Sequence, residues 1–324
     1  MSKKIGRLIN IGLGKETVRG TGVSQTYWIP KSNITFEDKV VKAISTLNYG
    51  NIGEGNQELV ALKHAEGNLE GDILDKSFGL LLLAAFGTVA SAAYLSAYKH
   101  TYTLQNDNQH DSLTIAIDDT LDATSDKTFE LAMLNSLEIS ATPDNIVKFT
   151  ANFMSKSSQD GNYTATYVAQ NKFLGRHVIF KLATLTTGLD AATAVSLKSI
   201  TLTINKNLLL DNVLGTVQPE DIVNQKISIE GKIELNYTDE TYKNLMLNGT
   251  YNAMRIDIVN TDVTIGTTNP ALRFDFSRCA FDAWEPTREN DALASQVINF
   301  RAMYDITNGN IINSCYLVNE VASY

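Results

Sequence analysis

The residue types that most often do chemistry are scattered along this 324-residue chain. Its four histidines, His64, His100, His110 and His177, fall in no HxxxH or HExxH spacing, so no zinc site is expected. Ile11-Gly12-Leu13-Gly14-Lys15-Glu16-Thr17 comes near a phosphate-binding loop. That loop needs Ser or Thr directly after the Lys, and Glu16 intervenes. Asp118-Asp119 at a strand end reads as a turn signal, not as an acid–base pair. Cys279 and Cys315 sit in apolar, strand-like surroundings and read as buried free thiols, with no CxxC and no disulfide scaffold. No GxSxG occurs. The residues therefore predict no enzyme, no cofactor and no metal.

Composition narrows the classes further. Hydrophobic residues at 44% and charged residues at 19% make a globular chain, not a disordered one. A net charge of −9 argues against gripping nucleic acid, which takes clustered Lys and Arg. An acidic surface past which nucleic acid slides without sticking remains compatible. The apolar stretch after Met1-Ser2-Lys3-Lys4-Ile5 is too short for a signal peptide. Residues 79–98 carry no charge, yet Gly87-Thr88 reads as a helix end. A buried helix over 75–86 and a second packed segment are expected there, not a membrane span.

The elements that would position any site repeat along the chain. Leu69-Glu70-Gly71-Asp72-Ile73 and Ile229-Glu230-Gly231-Lys232-Ile233 carry Glu-Gly at the same place in an alternating strand. Each is preceded by a short strand (Asn33-Ile34-Thr35-Phe36; Ser199-Ile200-Thr201-Leu202-Thr203) and followed by an Asp and an apolar helix. Such a period suggests two similar units. Residues 1–30, punctuated by glycines, read as an extended arm ending at Tyr27-Trp28-Ile29-Pro30. A strand over 34–44 and a polar, Gly-rich loop over 48–56 follow. Over 58–74, Leu59, Ala61, Ala65, Leu69 and Ile73 take one face and Glu58, His64, Glu66, Asn68, Glu70 and Asp72 the other, as in a half-buried strand. Strands over 101–104, 113–117, 129–133 and 137–139 lead through Thr142-Pro143-Asp144-Asn145 into a two-faced strand. There Val147, Phe149, Ala151 and Phe153 oppose Lys148, Thr150 and Asn152. The second half repeats the order: strand 199–205, loop 208–224, strand 225–235, helix 239–247, and strands near 254–259 and 272–276. After a turn at Glu285-Pro286-Thr287, Ile298, Phe300 and Ala302 alternate with Asn299 and Arg301, and a strand over 311–318 closes the pattern.

The order of motifs resembles a known family. Arg19-Gly20-Thr21-Gly22-Val23-Ser24-Gln25-Thr26-Tyr27-Trp28-Ile29-Pro30, Ala65-Glu66-Gly67-Asn68-Leu69-Glu70-Gly71 and Asp75-Lys76-Ser77-Phe78-Gly79-Leu80-Leu81-Leu82-Leu83 look like the major tail tube protein of long, non-contractile-tailed bacteriophages. Leu134-Asn135-Ser136-Leu137-Glu138-Ile139-Ser140 through Asp144-Asn145-Ile146-Val147-Lys148-Phe149-Thr150 is similar to that family's hairpin. The resemblance covers most of 17–155 directly and the second half through the repeat. It implies a mainly β fold of two tandem tube domains, each a pair of packed antiparallel sheets (a β-sandwich or half-barrel) flanked by one α-helix. Residues 1–30 would be an N-terminal arm, 31–160 the first tube domain, 161–196 a connector and 197–324 the second tube domain.

The resemblance also implies a role: a structural virion subunit whose copies form rings, the inner strands joining into a barrel and the rings stacking into a tube for DNA. Two-domain members form trimeric rings that mimic sixfold symmetry. The implied partners are other copies of the chain, a tape measure protein in the lumen, tail tip and tail terminator proteins, and DNA passing without specific contact. The implied location is the virion tail, assembled in the bacterial cytoplasm, with no membrane insertion. On this view the polar strand faces put Glu66, Glu70, Asp72, Glu138, Lys148, Glu230, Lys232, Glu234 and Arg301 on the lumen. Tyr49, Asn51, Glu54, Asn56, Asp211 and Asn212, with the arm, would meet the next ring. A tube component of a contractile injection system would share the fold. A secreted β-rich enzyme or carbohydrate-binding module would need a signal peptide, a carboxylate pair in a cleft or exposed aromatic rows.

Overall fold

The computed structural model describes residues 3–53 and 55–324, so Glu54 lies outside the described residues. The fold is mainly β. In the first half the strands are β1 (Ile9–Lys15), β2 (Tyr27–Ile29), β3 (Lys31–Ile34), β4 (Glu37–Ile44) and β5 (Glu58–Asp72). Helix α1 (Phe78–Phe86) precedes β6 (Gly87–Tyr94), β7 (Ala97–Leu104), β8 (Leu113–Asp119), β9 (Lys127–Ala141), β10 (Lys148–Ser155) and β11 (Gln159–Asp160). Then come β12 (Val178–Ala183), β13 (Ala194–Val195), β14 (Ser199–Asn205), β15 (Leu209–Asp211), β16 (Asp221–Val223) and β17 (Ser228–Asn236). Helix α2 (Thr241–Leu247), β18 (Asn252–Val259), β19 (Ala271–Thr287), β20 (Ser295–Ala302) and β21 (Ser314–Asn319) complete the chain.

The duplication is visible in the pairing. β1 pairs with β8, β5 with β10, and β9 with both β8 and β10. In the second half β12 pairs with β18, β17 with β20, and β19 with both β18 and β20. β9 and β19 play the same part: each is long and carries a register shift, so that one end pairs with one strand (β8 or β18) and the other end with another (β10 or β20). The two halves are not separate in space, because β9 also pairs with β14, and β7 of the first half pairs with β21. The result is one antiparallel run, β5–β10–β9–β14–β17–β20, spanning both halves. Among the described residues the strand pairings form no closed circuit within the chain.

Alternation explains the core. Leu69, Ala151, Leu137, Ile204, Ile229 and Ala302 are directly opposed from strand to strand, and all are buried in one apolar cluster. Burying each large side chain contributes on the order of 1.5–3 kcal/mol. The Glu-Gly repeat has a steric cause. On the adjacent core row Gly71 lies against the Phe149 ring and Gly231 against the Phe300 ring, each on the neighbouring strand. Helix α1 is apolar all round and every one of its residues is buried. It ends at Gly87, whose φ of +90 suits a left-handed cap and whose N–H donates to Leu83 O. The charge-free stretch is thus a buried helix plus strand β6, and among the described residues no helix is long and apolar enough to cross a membrane. Helix α2 is more exposed, with only Tyr242 buried. Lys206, buried just past β14, donates to Ala84 O at 2.7 Å in the last turn of α1, where a cation complements the helix dipole.

Several local expectations are corrected. Within the glycine-punctuated N-terminus β1 is paired on both sides and Ile11 and Leu13 are buried, because long-range pairing with β8 outweighs its weak local propensity. The single strand expected over 34–44 is split into β3 and β4. Within residues 161–196, β12 is a full partner of β18. The loop over 208–224 holds the β15–β16 hairpin. Glu285-Pro286-Thr287 is no turn but the end of β19, paired with Ser295–Val297 of β20. Residues 129–133 and 137–139 belong to one strand.

Candidate functional site

The opposite face of the β5–β10–β9–β14–β17–β20 run is polar, and strand register sets its pattern. One row runs Glu70, Thr150, Glu138, Thr203, Glu230, Arg301, each directly opposite the next. A second runs Asp72, Lys148, Ser140, Thr201, Lys232, Asn299. Glu66 lies two residues along β5 from Asn68, and Glu234 is opposite Ser199. All nine charged residues singled out from the alternation therefore share one face of one sheet. Six are carboxylates (Glu66, Glu70, Asp72, Glu138, Glu230, Glu234) and three are cations (Lys148, Lys232, Arg301), a net charge of −3.

The groups between the charges are hydroxyls and amides. Asn152 ties three strands together, accepting from Asn135 Nδ2 at 3.1 Å and donating to Asn68 Oδ1 at 2.8 Å. Asn205 Nδ2 donates to Glu230 Oε1 at 3.4 Å. Two residues that the alternation did not flag modify the charge pattern: Lys172 pairs with Asp72 at 3.0 Å, and Asp282 pairs with Arg301 at 3.4 Å. Lys172 arrives from an irregular segment remote in sequence, and Asp282 from a bulge in β19, so neither carries a periodic signal. Such a face is polar, with carboxylates in excess of cations among the residues named.

One end of this face is covered. Met133 and Met154 pack with Leu208, Leu210 and Ile222, placing the β15–β16 hairpin over the margin beside Glu66. Arg19 fastens the hairpin, with Nη2 2.5 Å from Asp221 Oδ1 and 3.0 Å from Ile222 O. Asp211 lies in the hairpin strand opposite Asp221, and Asn212 is exposed beyond it. Tyr49, Asn51 and Asn56 are exposed on the loop of the β4–β5 hairpin, where Asn56 Nδ2 donates to Tyr49 Oη at 2.8 Å. That hairpin leaves Val40, Val41, Ile44, Leu59 and Val60 exposed. The structure thus puts the two expected contact groups on two separate hairpins.

The chemistry-bearing residues considered first are structural. Glu16 is buried and accepts from Gly20 N at 2.7 Å, Leu131 N at 2.8 Å and Thr114 Oγ1 at 3.1 Å, while residues 11–15 of the stretch resembling a phosphate loop lie in β1. Asp118 accepts from Asn10 Nδ2 at 2.9 Å and Asp119 pairs with Lys4 at 2.6 Å. His100 lies between Ser91 and Asn319, His110 against Gln105 O, and His177 against Asp262, each alone. Burial holds His110 down at about 4. Burial also pushes both thiols up, Cys279 and Cys315 alike, which keeps them protonated and inert. Among the described residues no group of His, Cys, Asp and Glu is placed to hold a metal ion. The buried fork of Arg255 on Asp275, at 2.7 and 2.9 Å, escaped sequence reading because each residue sits on a different strand.

No curated protein matches the chain. A family model described as phage tail tube protein matches residues 6–302, which takes in the polar face, both long bent strands and both helices. With nearly the whole chain so matched, and with the mainly β architecture described above, this protein belongs to the phage tail tube protein family and is a structural component of the virion tail.

Proposed function

We propose that this chain is the repeating subunit of a tail tube ring, in which two tube domains per chain, 31–160 and 197–324 with 161–196 between them, make three chains equivalent to six domains. Rings stack around a lumen through which DNA passes into the host, with a tape measure protein occupying the lumen beforehand and tip and terminator proteins at the ends. One observation carries the reading: the polar face of a sheet shared by both halves has six carboxylates against three cations. A channel for DNA gains from this sign, because clustered Lys and Arg would bind phosphate and stall passage. The hairpin loop with Tyr49, Asn51 and Asn56, and the region of Asp211 and Asn212, meet the adjoining ring.

Reversing Glu70 and Glu230 to Lys tests the lumen. Each reversal adds two charges, so the face moves from −3 to +1 per chain. Both side chains are solvent-accessible, so tubes still form, and DNA ejection slows in a way that added salt relieves. Unchanged ejection at low salt from tubes of normal length would refute the lumen assignment.

A further inference from the structure

The duplication leaves one junction inside the chain complete and its counterpart cut in half. β14 is paired on both edges, with β17 and with β9. Among the described residues its counterpart β3 is paired on one edge only, with β5, Asn33 opposite Glu70 as Thr203 is opposite Glu230. Likewise β9 over 136–140 lies between β10 and β14, whereas its counterpart in β19 over 280–287 has β20 on one side and no strand on the other among the described residues. The row from Glu70 to Arg301 therefore has two open ends: Asn33 precedes Glu70 and Ala280 follows Arg301.

We propose that β3 of one copy pairs antiparallel with the 280–287 edge of β19 in the next copy, in the register of the internal junction. Thr203 opposite Glu138 transfers to Asn33 opposite Ala280, and Leu202 opposite Ile139 transfers, across the bulge in β3, to Lys31 opposite Phe281. The inference rests on the ring reading and specifies which edges meet. Pairing of this head-to-tail kind removes both exposed edges at once and closes when the rotation closes.

A glycine supports the assignment independently. At the internal junction the turn after β9 sits on the 3₁₀ turn Gly175–His177 that precedes β12. A Cβ on Gly175 would lie 1.9 Å from Thr142 O, and Gly175 N donates to Asn145 O at 2.9 Å. The first half has the matching 3₁₀ turn, Gly6–Leu8, before β1. There a Cβ on Gly6 would meet nothing within 4 Å, and Gly6 lines an open groove of about 710 Å³ with Arg7, Pro30 and the β3 residues Lys31–Ile34. Beside it Ile5 is 62% exposed. The transferred register brings Glu285-Pro286 of the next copy against Gly6, as Thr142-Pro143 lie against Gly175 at the internal junction. Gly6 is then the close-approach glycine of an interface, unneeded in the lone chain.

Two variants test this. Gly6→Leu folds with the denaturation midpoint of the parent, because the site is open, but raises the concentration needed for assembly by about tenfold or more through overpacking at the interface. Asn33→Cys with Ala280→Cys, treated with a short thiol-to-thiol cross-linker, yields a ladder of chain multimers, and each single variant yields none. Thr203→Cys with Glu138→Cys links within one chain and calibrates the reach of the reagent. Assemblies that form normally with Gly6→Leu and give no ladder overturn this pairing and leave the ring standing. A parent chain that stays monomeric at every concentration overturns both.

Discussion

Gly71 and Gly231 occupy matching places, and their surroundings predict unequal costs for one added methyl. At Gly231 a Cβ would lie 2.3 Å from Thr201 O and 2.5 Å from Phe300 Cζ. At Gly71 the nearest atoms are Pro30 O at 3.1 Å and Phe149 Cε1 at 3.2 Å. Overpacking a tight core site costs about 1–3 kcal/mol, and loss of glycine's freedom in the unfolded chain returns about 0.4–1 kcal/mol. Gly231→Ala meets a backbone carbonyl that cannot rotate away, so its net cost falls at about 2 kcal/mol. Gly71→Ala needs a shift of only a few tenths of an ångström from the Pro30 carbonyl and the Phe149 ring and falls near zero to about 1 kcal/mol. Guanidinium denaturation followed by far-ultraviolet circular dichroism reads the difference in midpoint at constant slope. Adding Phe300→Leu to Gly231→Ala removes the ring but not Thr201 O, so the double variant stays destabilised. Equal midpoints for the two glycine variants, or a Gly71→Ala cost above that of Gly231→Ala, would refute the steric account of the repeat.

Burial lowers Lys206 from 10.5 to about 7. Below 7 both states hold the proton and the native chain bears a buried charge; from 7 upward the unfolded chain still binds a proton that the native amine has lost, so stability rises with pH over that window. Lys206→Met removes this slope, and a stability difference between parent and variant that stays constant from pH 6 to about 9 would contradict the burial. Deleting residues 49–55 leaves a folded subunit, because the loop is exposed beyond the β4–β5 hairpin, and abolishes polymerisation; normal tubes from that deletion would exclude the loop as a ring-to-ring contact.

Much of the architecture was legible residue by residue. A period of two marked β5, β10, β17 and β20, and the same alternation put all nine charged residues on the face opposite Leu69, Ala151 and Ile229. The Glu-Gly repeat located the matching strands, and the apolar run after Asp75 located α1. Alternation is a local property: it names the two faces of a strand and is silent about its neighbours. The strand identity of the glycine-bearing β1, the edge union of β9 with β14 and the capture of β7 by β21 depend on partners far along the chain. So do the burial of Lys206 under α1 and the fork of Arg255 on Asp275. Those groups are held where long-range pairing satisfies backbone N–H and C=O groups that no local pattern can assign to a partner. Sequence alone set which side of each strand is wet; only the folded pairing decided that the wet sides of both halves form one surface and that two matching edges are left open.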